Sequence, residues 1–181
     1  GALFAWFFHY MPVGNEAAPV LMPSPDQRAW MIQQIRHFRQ TKPIFTIDFQ
    51  NDAEYVGGCI AGGRRYLHIN ANGDVDPCVF IHYSNMNIRE HTLLEALQSP
   101  LFKAYYHNQP FNGNMLRPCP MLENPEILPR LVRQSGAVST DLQSPESAEH
   151  LCAKCQNYAQ LWQIRSQQIW QELHPQADKE Q

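Results

Sequence analysis

No apolar run in this sequence is long enough to cross a bilayer. The longest, Ala2 to Phe8, falls far short of the roughly 20 residues that a helical span needs. It also lacks the basic flank and small-residue cleavage site of a secretory signal. An excess of one charge is missing as well: 14 Lys and Arg stand against 17 Asp and Glu, for a net charge of -3. No polybasic surface therefore points to nucleic acid or to an anionic membrane as partner. Internal repeats and low-complexity tracts are absent. An even set of cysteines is lacking too, since there are five, and without a secretory signal that argues against a disulfide framework. These absences leave a cytoplasmic globular protein. Its 181 residues, 44% of them hydrophobic, suffice for one domain or for a domain with a smaller appendage. The chain opens on Gly1 and enters a hydrophobic strand at once, which reads as a piece cut from something larger.

The first segment, Ala2 to His9, is a continuous apolar and aromatic run, the pattern of a strand covered on both faces. Ser24-Pro25-Asp26-Gln27 is a helix start, with Ser24 as N-cap, Pro25 at the first helical position and Gln27 closing a capping box. Met31, Ile32, Ile35 and Phe38 give that helix its apolar stripe to about Gln40. Ile44 to Phe49 is a second apolar strand, and strand, helix, strand with a long crossover is a parallel βαβ unit. Two strands and one helix cannot cover their own sheet edges, so residues 1–52 read as the remnant of a larger α/β domain. Asp52 to Arg65 is a glycine-rich boundary. Tyr66–Ala71 and Val75–Ile81 are strands joined through Asn72-Gly73, a strong hairpin signal. Thr92 to Glu95 is another capping box, and Ser99-Pro100 starts a helix to about His107 with Leu101, Phe102 and Tyr105 inward. Asn124-Pro125 opens a helix that Gly136 stops and Pro129 should kink. Ser139 to Ser147 is turn-like. One long helix is expected from Pro145 to Leu173, its stripe formed by Leu151, Cys155, Tyr158, Trp162, Ile169 and Leu173. The charged tail after Pro175 should fray.

The cysteines carry the chemistry. Cys59 and Cys78 flank the hairpin as C-x13-G-x4-C, the glycine being Gly73. Cys152-Ala-Lys-Cys155 places two thiols three residues apart, on one face if helical. Cys119 stands between Pro118 and Pro120, a rigid setting that fixes its direction. Four thiolates from dispersed segments suit either a tetrahedral Zn²⁺ or an iron–sulfur cluster. Structural zinc sites favour two close pairs, and this chain has one. Taken singly, Cys59 or Cys119 reads as a small buried hydrophobe.

Together these residues resemble a known family. The Cys59–Cys78 segment, ending in Gly73-Asp-Val-Asp-Pro-Cys78 and containing the hairpin sequence Tyr66 to Val75, is similar to the opening of the SPASM/twitch extensions of radical S-adenosylmethionine (radical SAM) enzymes. Asn87-Ile-Arg-Glu90, Leu93-Leu-Glu-Ala-Leu97 and Ser99-Pro-Leu-Phe102 resemble their continuation. The resemblance implies a fold in two parts. Residues 1–52 would be the last strands and helix of the partial (β/α) barrel. Residues 53–181 would be a small α+β domain whose hairpin and helices surround a cysteine-ligated auxiliary 4Fe–4S cluster. The cysteines after the hairpin are too few for two clusters, as in the shorter twitch type. The implied ligands are Cys59, Cys78, Cys119 and Cys155, with Cys152 as substitute, Cys155 being preferred because it shares a stripe with Leu151 and Tyr158. The family's CX3CX2C motif is absent from the sequence, so the catalytic cluster and S-adenosylmethionine require a radical SAM core outside these residues, and the chain alone should be inactive. The implied partners are that core, an electron donor such as flavodoxin or ferredoxin, and an unidentified substrate, a peptide among the candidates. The implied role is electron transfer or substrate positioning in an oxidoreductase or maturase. The contrasting reading is a non-catalytic zinc-binding structural or interaction domain.

Other residues carry weaker signals. Tyr10, Pro12 and Gly14 follow the first strand at its C-terminal end, where barrel active sites gather; Tyr10 and Gly14 are the candidates for the S-adenosylmethionine side, against a plain strand-ending turn. Asp48, Gln50, Asn51 and Asp52 follow the second strand as substrate contacts or a solvated linker. His68 and His82 read as packing or rim residues, Arg64-Arg65 as a solvated turn.

Overall fold

A computed structural model describes residues 1–175; the expected fraying after Pro175 lies outside the described residues. Strands β1 (Phe4–Phe7) and β2 (Phe45–Asp48) pair in parallel, Phe4 opposite Phe45 and Phe7 opposite Asp48. Helix α1 (Pro25–Thr41) makes the crossover between them, and its N-terminus is the capping box read from the sequence: Gln27 N–H donates to Ser24 Oγ at 3.2 Å, and Ser24 N–H to Gln27 Oε1 at 2.8 Å. The expectation that β1 is covered on both faces is not met. Phe4, Trp6 and Phe8 are exposed on one face, beside Phe45 of β2. Helix α1 lies on the other face, where Thr46 and Asp48 are buried and Arg39 Nε donates to Thr46 Oγ1 at 2.8 Å. An apolar run alone does not tell how many faces are covered.

The glycine-rich boundary contains a short helix, α2 (Ala53–Val56), ended by Gly57 in the left-handed region. The hairpin forms at Asn72-Gly73, but its strands are short: β3 (His68–Ile69) pairs antiparallel with β4 (Val75–Asp76). Pro77 has no N–H for the ladder, and the chain then turns at Cys78, whose carbonyl accepts from Ile81 N–H at 3.0 Å. Strand β5 (Tyr83–Ser84) leaves the hairpin to pair with β6 (Val138–Ser139), which ends on the first residue of the segment expected to be turn-like. Helices α3 (Leu93–Leu97), α4 (Pro100–His107) and α5 (Ile127–Ser135) follow, the first two at the expected caps Thr92 and Ser99. Pro129 is the third residue of α5, inside the first turn, where a backbone N–H has no intrahelical acceptor to lose; a kink is not required there. Gly136 ends α5 in the left-handed region as anticipated.

The single long C-terminal helix is two helices, α6 (Ala148–Ala153) and α7 (Gln156–Leu173). At the break, Lys154 and Cys155 N–H groups donate to the carbonyls of Leu151 and Cys152, three residues back, before Ala159 resumes the α ladder onto Cys155. Leu151, Cys155, Tyr158 and Trp162 are buried as expected, whereas Leu173 is exposed. Among the described residues the strands make three two-stranded sheets and no closed barrel. One core gathers the inner faces of α4, α5, α6 and α7 with Met121, Leu122 and the cysteines.

Candidate metal centre

All five thiols are free and belong to one core: Cys78, Cys152 and Cys155 are buried, and Cys59 and Cys119 pack against them. The loop after Cys59 is pinned against α4. Gly62 N–H donates to Pro77 O at 3.0 Å, which ties the Cys59 loop to the Cys78 strand. Gly62 and Gly63 both have positive φ, and a Cβ at Gly62 would sit 2.6 Å from Tyr105 Cβ. Only glycine lets this backbone approach so closely. Cys119 is held by its own loop. Its N–H donates to Glu123 Oε2 at 2.7 Å, Asn124 Nδ2 donates to its carbonyl at 3.0 Å, and its sulfur accepts from Leu122 N–H at 3.4 Å.

Cys59, Cys78 and Cys119 together line a cavity of about 590 Å³ bounded by β2, α2 and the chain around Phe80; Cys152 and Cys155 do not line it. The sulfurs of these three each face main-chain N–H groups: Ala61 at Cys59, Phe80 and Val79 at Cys78, Leu122 and Met121 at Cys119. The Tyr66 hydroxyl also bonds Cys78. Burial pushes every thiol up, Cys59 to about 12, Cys78 to about 11 and Cys155 to about 12, with Cys119 and Cys152 raised as well. Without a cation these are neutral thiols, and binding one displaces their protons.

The helical-wheel argument that set Cys155 above Cys152 fails, because the helix is broken between them and both thiols turn inward. The other sequence candidates lie apart from the thiols. Tyr10 Oη accepts from Ala18 N–H at 2.8 Å and so closes the loop after β1, and Gly14 takes a left-handed turn in that loop; neither lines the cysteine cavity. Asp48, Gln50 and Asn51 are not a solvated linker but are buried. His82 bridges Asp141 at 3.1 Å and Val79 O at 2.8 Å on the rim. The Arg64 side chain is no solvated turn either, since it holds the carbonyls of Val56 and Gly57.

Residues 59–123 match the family model of the SPASM iron–sulfur cluster-binding domain. The chain carries a SPASM-type domain. The matched segment begins at Cys59, includes Cys78 and Cys119, and ends at Glu123, the carboxylate that holds the Cys119 loop. No curated protein and no solved structure matches the chain.

The SPASM domain's residues fit an iron–sulfur cluster on two counts. Tyr105 is fully buried, yet its hydroxyl has no hydrogen-bond partner. Its burial, and after it the thiols around it, push the hydroxyl well above its ordinary range. A buried hydroxyl left unpaired costs about 1–3 kcal/mol, and a thiolate or sulfide among those thiols would accept its proton. Second, the three thiols on the cavity already meet N–H donors, and hydrogen bonds to sulfur are a principal control on cluster potential.

Sequence reasoning missed the group that braces this domain. Arg28 of α1 is completely buried, with Nη1 2.7 Å from Glu123 Oε1 and 2.9 Å from Tyr158 Oη. Its Nη2 reaches Leu116 O at 3.0 Å, and its guanidinium lies 4.2 Å from the Trp162 ring centroid. One cation thus joins α1, the Cys119 loop and α7. The only signal was a charged residue on the α1 stripe, one turn before Ile32.

Proposed function

We propose that this chain is the auxiliary-cluster part of a radical SAM enzyme, holding a 4Fe–4S cluster on Cys59, Cys78 and Cys119 with Cys152 or Cys155 as fourth ligand. The observation that carries the reading is that Cys59, Cys78 and Cys119, all within the residues that match the cluster-binding family model, line one cavity. When bound, such a cluster supplies one-electron redox capacity or an iron that positions substrate. The chain's own contribution is a dry setting, N–H donors to three sulfurs, and a Cys119 loop fixed through Glu123 to Arg28. No three His, Cys, Asp or Glu residues among the described residues converge as ligands of one metal ion.

The radical SAM context draws support from β1 and β2. Phe49 N–H donates to Phe7 O at 3.1 Å, so by alternation Thr46 and Asp48 point their backbone groups to the free edge of β2. That edge is occupied. Asp48 N–H donates to Asp52 Oδ2 at 2.7 Å, and Arg39 Nη2 donates to Thr46 O at 3.1 Å. The outer edge of β1 pairs with no strand among the described residues. A sheet that is blocked at β2 and open at β1, with α1 on one face and bare aromatics on the other, suits the last strands of a partial barrel that continues beyond β1. Catalytic cluster and S-adenosylmethionine then belong to a radical SAM core, fed by flavodoxin or ferredoxin.

Iron per chain in the five single Cys→Ser variants, reconstituted anaerobically side by side, tests the assignment. Cys59, Cys78 and Cys119 variants should lose iron, and one of Cys152→Ser and Cys155→Ser should hold most of it. Equal iron in all five would overturn the proposal.

A further inference from the structure

The loop that carries Cys59 is closed on itself. Arg65 N–H donates to Ile60 O at 3.0 Å, and Gly63 N–H to Tyr66 O at 3.0 Å. Between them the Arg64 side chain folds back over the residues that lead into Cys59. Its Nη1 donates to Gly57 O at 2.7 Å and to Gln109 Oε1 at 3.3 Å, and its Nη2 donates to Val56 O. These carbonyls end the short helix α2, where unpaired acceptors favour a cation. The guanidinium lies against Gly58, the residue before Cys59: a Cβ on Gly58 would sit 3.4 Å from Arg64 Nη1. Gly58 and Cys59 both line the cysteine cavity, whereas Arg64 lines a separate groove with Lys103 and His107. The cation therefore backs directly onto the cavity wall. Every acceptor it has is neutral. Among the described residues no carboxylate pairs with Arg64, while Arg28, Arg36, Arg39, Arg133 and Arg165 each have one. Burial pushes the Cys59 thiol up to about 12, and the Arg64 charge opposes that rise. A half-buried guanidinium, fixed by neutral groups and aimed at a thiol, is a charge still waiting for its anion.

We infer that Arg64 is the counter-ion of the Cys59 corner of the cluster, a positioning residue whose fork holds the chain before Cys59 and whose charge favours the reduced cluster. The inference deepens the cluster reading above and rests on it. Reduction adds a negative charge to the cluster, and a fixed cation nearby stabilises that form over the oxidised one. The two roles separate by substitution. Lysine keeps the charge but loses the planar fork that reaches two carbonyls at once, and glutamine keeps a single amide donor but no charge.

The test reconstitutes Arg64→Lys and Arg64→Gln anaerobically beside the parent chain. Two quantities are read on each: the rate at which an iron chelator bleaches the visible absorbance, and the midpoint of a spectroelectrochemical titration. Arg64→Gln should shift the reduction equilibrium about tenfold toward the oxidised cluster, which is about 59 mV for one electron, and should bleach faster. Arg64→Lys should keep the parent's midpoint and still bleach faster. An arginine that merely braces the loop would speed bleaching in both variants and leave both midpoints at the parent's value. That result, or parent-like readings throughout, overturns the inference. Loading by Arg64→Lys but not by Arg64→Gln supports it. Loading by neither overturns it, because the charge kept by lysine would then count for nothing. A parent chain without labile sulfide sinks the cluster reading and this inference with it, whereas a loaded parent matched by both variants sinks this inference alone.

Discussion

Replacing Arg28 by Met should cost about 3–5 kcal/mol, the penalty for stranding a buried charge whose partner has been removed. The side chain is fully buried and bonds Glu123, Tyr158, Asn51 and the carbonyls of Gln50 and Leu116. Methionine fills much of its volume, so the loss falls chiefly on Glu123, whose carboxylate loses its hydrogen-bonded cation and keeps only the more distant charge of Arg117. Burial already raises the Glu123 carboxyl even beside Arg28. Without the guanidinium it rises further, and protonation caps the cost. The sign follows: a carboxyl whose folded pKa lies above its unfolded value destabilises increasingly as pH rises through that interval. The deficit of Arg28→Met should therefore be larger at pH ~8 than at pH ~5. The double variant Arg28→Met, Glu123→Gln keeps an oxygen for Cys119 N–H and removes the charge, and it should return to within about 2 kcal/mol of the parent. Urea unfolding of the reconstituted chain, followed by far-ultraviolet circular dichroism at both pH values, measures all three. Because Glu123 also positions Cys119, the single variant should lose iron and the double variant should regain it. A single-variant loss below about 1 kcal/mol with iron unchanged, or a double variant no better than the single, would refute this account of the bracing network.

Tyr105→Phe removes a buried, unpartnered hydroxyl beside the thiols, and the cluster potential should fall by about 20–60 mV, the equivalent of one hydrogen bond to sulfur; an unchanged potential in a spectroelectrochemical titration would remove Tyr105 from the site. Gly62→Ala combines positive φ with a clash on Tyr105 and should cost about 3 kcal/mol or more, whereas Gly14→Ala meets no neighbour and should cost only the strain of its φ, about 1 kcal/mol; similar unfolding midpoints for the two would contradict the packing described. His9 is pushed down to about 2 by burial and by Arg28, so it folds neutral and the chain should lose stability as pH falls from about 6.5 toward 2, at up to about 1.4 kcal/mol per pH unit. His9→Gln should flatten that acid limb, and an unchanged limb in pH-dependent thermal melts would show that other groups set it.

Where a local signal decides structure, the sequence was readable. Ser24, Thr92 and Ser99 cap helices at the expected residues, since a cap depends on a side chain and a backbone N–H three residues apart. Gly73 makes the hairpin turn for the same local reason. The five thiols fall into one core. Long-range effects were not readable. The break between α6 and α7 has no proline or glycine at Lys154 or Cys155 to announce it, and both flanking thiols are buried in the core. A helical wheel drawn through the break consequently ranked Cys152 and Cys155 on a geometry that does not exist. Strand β6 was hidden because its partner β5 lies 54 to 56 residues earlier, in the register Tyr83 to Ser139 and Ser84 to Val138. Arg28 looked like an ordinary charged residue, since its partners Glu123 and Tyr158 lie 95 and 130 residues away.

The central claim is that these thiols hold an iron–sulfur cluster. The most direct test is the iron, acid-labile sulfide and zinc content of the anaerobically reconstituted parent chain. The account predicts about four iron and about four sulfide per chain, with a brown colour that Cys59→Ser and Cys78→Ser lose. About one zinc per chain with no sulfide would contradict it.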